Sequence, residues 1–197
     1  MDIQPVTLEG RHVRLEPLAL VHHADLCESG LDEDLWRWAP TAVRTREDMR
    51  EYIEIALRAQ AERSVLPFAT VERGSNRAVG STRFANIDCA NRRLEIGWTW
   101  IGRRWQRTAV NTEAKYLMLR HAFETLGAMR VELKTDSLNE RSRRAILRLG
   151  AVEEGTFRKH MVTESGRVRH TVYFSVIDEE WPEVKTRLEG MGRRANQ

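Results

Sequence analysis

Three stretches of this 197-residue chain bring together side chains that could do chemistry. In Arg93-Leu-Glu-Ile-Gly-Trp-Thr-Trp100 the residues alternate as in a strand, which predicts Leu94, Ile96 and Trp98 on one face and the Glu95 carboxylate on the other. That carboxylate could act as a base, or it could be a surface glutamate paired with Arg93 or a neighbouring strand. Gly97 marks a place where a bulge could re-aim its neighbours. The second stretch runs from Trp98 through a loop containing Arg103, Arg104 and Arg107 into the start of a helix. Free N–H groups and the positive dipole end suit such a junction to a diphosphate; the plain alternative is a capped helix with a solvated basic turn. In the third, Asp136 to Ala151, helical spacing puts Ser142 on one face with Ala145, Ile146 and Leu149. A hydroxyl so placed commonly bonds the carbonyl one turn back.

The elements that must hold these residues follow from hydrophobic period and punctuation. Val13 to Glu16 alternate as a strand stopped by Pro17, before a helix around Leu20 to Glu28. Thr45 with Glu47 and Asp48 opens a longer helix through Ile53, Leu57 and Ala61. Phe68 to Glu72 and Val79 to Phe84 flank the turn Gly74-Ser75-Asn76, a hairpin signal, and a further strand covers Leu94 to Ile101. A helix over Val110 to Leu126, with a stripe of Tyr116, Leu119, Phe123 and Leu126, is ended by Gly127. Met129 to Lys134 alternate as a strand, a short helix closes at Gly150, and two late strands lie near Val152 to Arg158 and His170 to Ile177. This order predicts an α/β fold of one domain, residues 1 to 180, with a mixed sheet and helices on both faces. A polar, basic, loosely held tail is expected over 181 to 197.

Composition narrows the function. Cys27 and Cys89 stand far apart, and His22, His23, His121, His160 and His170 lack ligand spacing, so no disulfide framework and no metal site are indicated. No apolar run approaches the roughly 20 residues of a membrane span, which points to a cytoplasmic protein. The calculated pI is 9.1, but the formal net charge is only +3 with acids and bases interspersed, which argues against nucleic acid as the partner despite the Arg-rich runs 141–148 and 187–194.

From Val6 to about Ile177 the order of elements and several local strings resemble the GNAT acyltransferases, particularly their RimJ/RimL-like branch. Gln106-Arg-Thr-Ala-Val-Asn-Thr-Glu-Ala sits where that family has its Q/R-x-x-G-x-G/A loop, and Asn139-Glu-Arg-Ser142 through Leu149-Gly150 resembles its Asn-x-x-Ser helix. The resemblance implies a mostly antiparallel, twisted GNAT-like sheet of about seven strands. It implies acetyl-CoA as co-substrate, with Gln106, Arg107, Thr108, Ala109, Val110 and Asn111 at its diphosphate. Trp98, Trp100 and Ile101 would lie along the pantetheine arm, Asn139 would contact that arm, and Ser142 would sit near the sulfur. Ala109 and Asn111 depart from the family's Gly and Gly/Ala, and a Cβ there narrows the approach of phosphate to backbone unless both residues are already helical. Ile146 fills the region where many members keep a tyrosine acid, which moves the acid's role to Ser142; Glu95 is the candidate base.

Trp36 and Trp38 could line an acceptor pocket or pack as core or lid. Neither cysteine lies in the site, so direct transfer to a primary amine in a ternary complex is expected, and a homodimer follows from the resemblance alone. The alternatives are a non-catalytic CoA-binding module and a ribosome- or RNA-associated factor on the same fold.

Overall fold

The computed structural model describes residues 1–194. Eight strands form one sheet in the order β1-β2-β3-β4-β5-β6-β8-β7: β1 (Leu8–Glu9), β2 (Val13–Pro17), β3 (Leu66–Glu72), β4 (Arg77–Asp88), β5 (Arg93–Ile101), β6 (Arg130–Asp136), β7 (Val152–Val162) and β8 (Val168–Ile177). All neighbours pair antiparallel except β5 and β6, which run parallel across a helical crossover. The two-residue β1 is the strand that alternation could not find, being too short to show a period.

Helices cover both faces. On one side α1 (His23–Gly30), α2 (Glu33–Trp36) and α3 (Arg46–Ala61) bury Leu26, Trp36, Met49 and Ile53 against Ala69, Val71 and Trp100. Thr45 caps α3: its hydroxyl accepts from Asp48 N at 3.0 Å while Asp48 Oδ2 accepts from Thr45 N at 2.9 Å, a reciprocal arrangement that satisfies two end donors at once. On the other side α4 (Ala109–Arg120) and α5 (Glu140–Leu149) cover Phe84, Leu94, Ile96, Val131 and Leu133. A π-helical turn, His121–Thr125, prolongs α4 before Gly127 at φ +66° ends it.

The expected loose tail is a helix. Residues Trp181–Arg194 form α6, whose Trp181, Val184 and Leu188 are buried in the larger core. The Trp181 ring stacks on Phe123 at 5.4 Å and its indole N–H donates to Glu124 at 3.0 Å. The 3-and-4 spacing was present in the sequence, but the dense Arg and Glu residues between masked it. The last three residues of the expected tail lie outside the described ones.

Candidate active site

The sheet parts between β5 and β6. Their parallel pairing holds for three positions only, Arg93 with Arg130, Leu94 with Val131 and Glu95 with Glu132. Beyond Glu95 the two strands run on without pairing, so the β6-facing edge of β5 from Ile96 to Ile101 keeps its backbone donors and acceptors unclaimed by a strand. The register of β4 against β5 skips from Arg83–Gly97 to Ser81–Trp100, which is a bulge at Trp98 and Thr99. Its left-handed residue is Trp98, at φ +47°, not Gly97. Leu94 and Ile96 face the larger core and Glu95 the opposite side as expected, but the bulge brings Trp98 to the Glu95 side, beside Arg83 and Lys134 and 46% exposed. Gly97 matters for a different reason, since a Cβ there would force Oε1 of Glu95 to shift.

Lys115 of α4 supports this bulge from below. Its Nζ donates to Thr99 Oγ1 at 2.5 Å and Thr82 Oγ1 at 3.1 Å, and at 6% exposure it meets no carboxylate among the described residues, so burial pushes its pKa down to about 7. Sequence reasoning missed it; its spacing of three from the apolar Met118 was the available signal.

The loop into α4 carries the strain that the sequence pattern placed elsewhere. Arg107 is left-handed at φ +63°, while Ala109 and Asn111 are ordinary residues of the first helical turn. Their Cβ atoms thus leave the N-terminal amides of α4 pointing outward. Thr108 is the N-cap, accepting from Val110 N at 3.3 Å and donating to the Trp105 carbonyl at 2.7 Å. The exposed side chains of Arg103, Arg104 and Arg107 surround this end, although Arg103 is already paired with Asp32 and Asp34.

Gln106 joins the loop to both other parts of the site. Its amide nitrogen donates to the Ile101 carbonyl at 3.1 Å, and its oxygen accepts from Arg141 of α5 at 2.8 Å. In α5, Asn139 is the N-cap and accepts from Ser142 N at 3.1 Å. The Ser142 side chain is half-buried, and its hydroxyl makes no hydrogen bond among the described residues; the anticipated bond to a carbonyl one turn back is absent. The structure therefore gathers Ile101, Gln106 to Asn111, Asn139 and Ser142 around the parting of β5 and β6. Trp100 is not part of that lining. It is buried with Trp36 and Tyr52 in the smaller core, the two indoles 5.5 Å apart, and its own N–H is buried without a partner among the described residues.

Glu95 stands at the vertex of the parting, on the sheet face away from α4 and α5. It is 1% exposed, and its Oε2 receives Asn86 Nδ2 at 2.6 Å and Lys134 Nζ at 2.8 Å. It is thus a buried carboxylate paired with an adjacent strand. The same face carries two arginines that sequence reasoning missed, Arg83 of β4 and Arg169 of β8, at 4% and 5% exposure. The Arg83 guanidinium lies 4.6 Å from the Tyr52 ring centre and 5.6 Å from that of Trp98. Such stacking is worth about 0.5–2 kcal/mol, whereas burying a cation costs several kcal/mol, so the rings offset only part of the penalty. A lone Arg inside the otherwise uncharged run Ala78 to Ala85 was the available signal.

Of the two tryptophans assigned to an acceptor pocket, Trp36 is buried and its N–H donates to the Gly30 carbonyl at 2.7 Å, which makes it core. Trp38 is half-buried beside this face: the guanidiniums of Arg37 and Arg167 lie 5.0 and 5.2 Å from its ring, and its carbonyl accepts from Arg169 at 3.5 Å.

A sheet that parts after a parallel contact, with a helix N-terminus beside the gap, is the frame of an acyltransferase that takes an extended thioester donor. The family described as "Acetyltransferase (GNAT) domain" matches residues 12–152, and the chain belongs to it. Its relatives include the Bacillus subtilis protein named "Putative ribosomal N-acetyltransferase YdaF", 33% identical over 102 residues, which are 52% of this chain and 55% of that protein's length. A Bacillus licheniformis protein named N-acetyltransferase p20, "uncharacterized", is 26% identical across 89% of this chain and 98% of its own. The crystal structure of a GCN5-related N-acetyltransferase from Brucella melitensis superimposes with a TM-score of 0.89, at 34% identity over 95% of this chain and 86% of that one. The family uses acetyl-CoA as co-substrate. Among the described residues, no helix is long and apolar enough to cross a membrane.

Proposed function

We propose that this protein transfers the acetyl group of acetyl-CoA directly to a primary amine, a protein N-terminus or a small-molecule amine, within a ternary complex. The observation that carries the reading is the parted β5–β6 edge with the capped α4 N-terminus beside it and the unpartnered Ser142 hydroxyl across it. The fit is good: the amides of residues 107 to 111 and the nearby arginines would hold the diphosphate, while the free edge of β5 and the side chain of Asn139 would hold the amide-bearing arm.

The bound donor supplies an activated carbonyl and a thiolate leaving group. An α-amine has a pKa of about 7.7–8.0, so a carboxylate can relieve it of its proton at modest cost. Glu95 Oε1, the oxygen not taken by Asn86 and Lys134, would receive it through water, because the group is buried. The amine nitrogen forms the C–N bond as the C–S bond breaks. Backbone amides of the Trp98–Thr99 bulge stabilise the carbonyl oxygen, and Ser142 relays the proton that the nitrogen sheds to the sulfur, which leaves as the thiol. Placement in the RimJ/RimL-like branch is supported by the name of the Bacillus subtilis relative. A cytoplasmic location and a homodimer belong to the same reading.

Calorimetric titration of the protein and of Asn139→Ala with acetyl-CoA tests it, together with thiol release over an amine panel. Saturable binding weakened about tenfold in the variant, with turnover of at least one amine, is the expected result. No binding at millimolar acetyl-CoA would overturn it.

A further inference from the structure

The face of the sheet that carries Glu95 holds more positive than negative charge. Arg83 sits opposite Gly97 and Ala85 opposite Glu95; Glu95 lies beside Glu132, Lys134 opposite Tyr173, and Asp136 opposite Thr171. Alternation along β8 then puts Arg169 on the same face as Thr171 and Tyr173. Every carboxylate on this face is already engaged: Glu95 by Lys134, Asp136 by Arg167 at 2.5 Å, and Glu132 by Arg93 and Arg130. Arg83 and Arg169 form no ion pair among the described residues, although the charges of Asp136 and Glu95 act on Arg169 from a distance. Nε of Arg83 is buried without a hydrogen-bond partner. Arg169 reaches only neutral oxygens, Thr171 Oγ1 at 3.1 Å and the Trp38 carbonyl at 3.5 Å.

Arginine keeps its charge when buried, and its planar fork matches a carboxylate or phosphate through two parallel bonds. Two such groups, more than nine-tenths buried and unanswered, flank the Lys134–Glu95 pair. The Trp98 ring lies between Arg83 and Lys134, and the Tyr173 ring lies 5.7 Å from Lys134 on the Arg169 side.

The geometry points to an acceptor that brings its own negative charge: a primary amine also bearing a carboxylate or phosphate, seated by Arg83 and Arg169 with its nitrogen toward Glu95. This rests on the acetyl-transfer reading above and narrows its substrate. It also assigns the half-buried Trp38 a place, as the segment whose carbonyl fixes Arg169 at the edge of the acceptor seat.

The test is thiol release from acetyl-CoA by the full chain with matched amines, phenylalanine against phenylalaninamide and O-phosphoethanolamine against ethanolamine, repeated on Arg83→Gln and Arg169→Gln. A charge-assisted bond corresponds to roughly ten- to a hundredfold. The anionic member of at least one pair is therefore expected to show a kcat/KM higher by about tenfold or more, mainly through KM, and the variants to lose that preference. Which pair shows it tells carboxylate from phosphate. Equal or better turnover of both neutral amines, or a preference untouched in both variants, would overturn the inference. Acetyl-CoA affinity, read by calorimetry on each variant, reports whether it has folded; should both fail, the wild-type comparison decides. Should the wild type bind no acetyl-CoA, the transfer reading falls by itself. Titration with acetate and with inorganic phosphate, followed by tryptophan fluorescence, then decides the anion seat: saturable binding supports it and none sinks it.

Discussion

At the scale of single residues, the site depends on groups whose neighbours are fixed by contact rather than by charge pattern. Glu95 was readable as a chemical candidate, but its burial and its pairing with Asn86 and Lys134 were not, because both partners lie on other strands and Asn86 is itself left-handed at φ +46°. Glu95→Gln should lower kcat about a hundredfold with little change in acetyl-CoA affinity. Gly97→Ala should act in the same direction, since its methyl group would displace Oε1 of Glu95; stopped-flow thiol release and calorimetry separate the two quantities. Lys115 carries a pH signature. Its folded pKa of about 7 lies below the unfolded value, so the unfolded chain binds the extra proton between about pH 7 and 10. Stability must then rise with pH through that window, by up to about 1.4 kcal/mol per pH unit. Lys115→Met should flatten that rise, which urea midpoints measured from pH 7 to 9 would show.

At the scale of elements, the sequence announced most strands and helices because their period and punctuation are local. It misjudged β5 because one bulge residue reverses the inside–outside order of everything after it, and no residue type marks Trp98 as left-handed. It misjudged α6 because the apolar spacing Trp181, Val184, Leu188 is diluted by charge. Trp181→Ala should cost about 3–5 kcal/mol, seen in chemical denaturation, as it leaves a cavity against Phe123, while Glu124 keeps its pairing with Lys185. Helix α4 is tied to the opposite end of the sheet by a contact no pattern foretold. The Glu113 carboxylate accepts from the backbone N–H groups of Arg11, His12 and Val13 at 2.9, 2.6 and 2.8 Å, closing the β1–β2 turn. Glu113→Ala leaves the part-buried amides of His12 and Val13 unanswered, and a loss of about 2–3 kcal/mol is expected by the same measurement.

At the scale of the whole molecule, the eight-stranded sheet is two half-sheets, β1 to β5 and β6 to β8, that meet at three paired positions. The backbone bonds from Met129 N to the Arg92 carbonyl and from Glu164 N to the Pro40 carbonyl also join the halves, and Gln106 to Arg141 and Lys134 to Glu95 add side-chain links at the gap, each 2.8 Å. Behind the seam one core, from Phe84 and Leu94 to Val131 and Phe174, runs through both halves. An extended donor lying in the gap would replace missing strand-to-strand bonds with its own, so binding would stiffen the molecule without any element having to refold. Amide exchange should therefore slow at residues 96–101 and 133–136 together, in step, when donor is present. Glu95 occupies the last paired position, so the proposed base is held by laddered backbone while the edge just beyond it stays free for the donor.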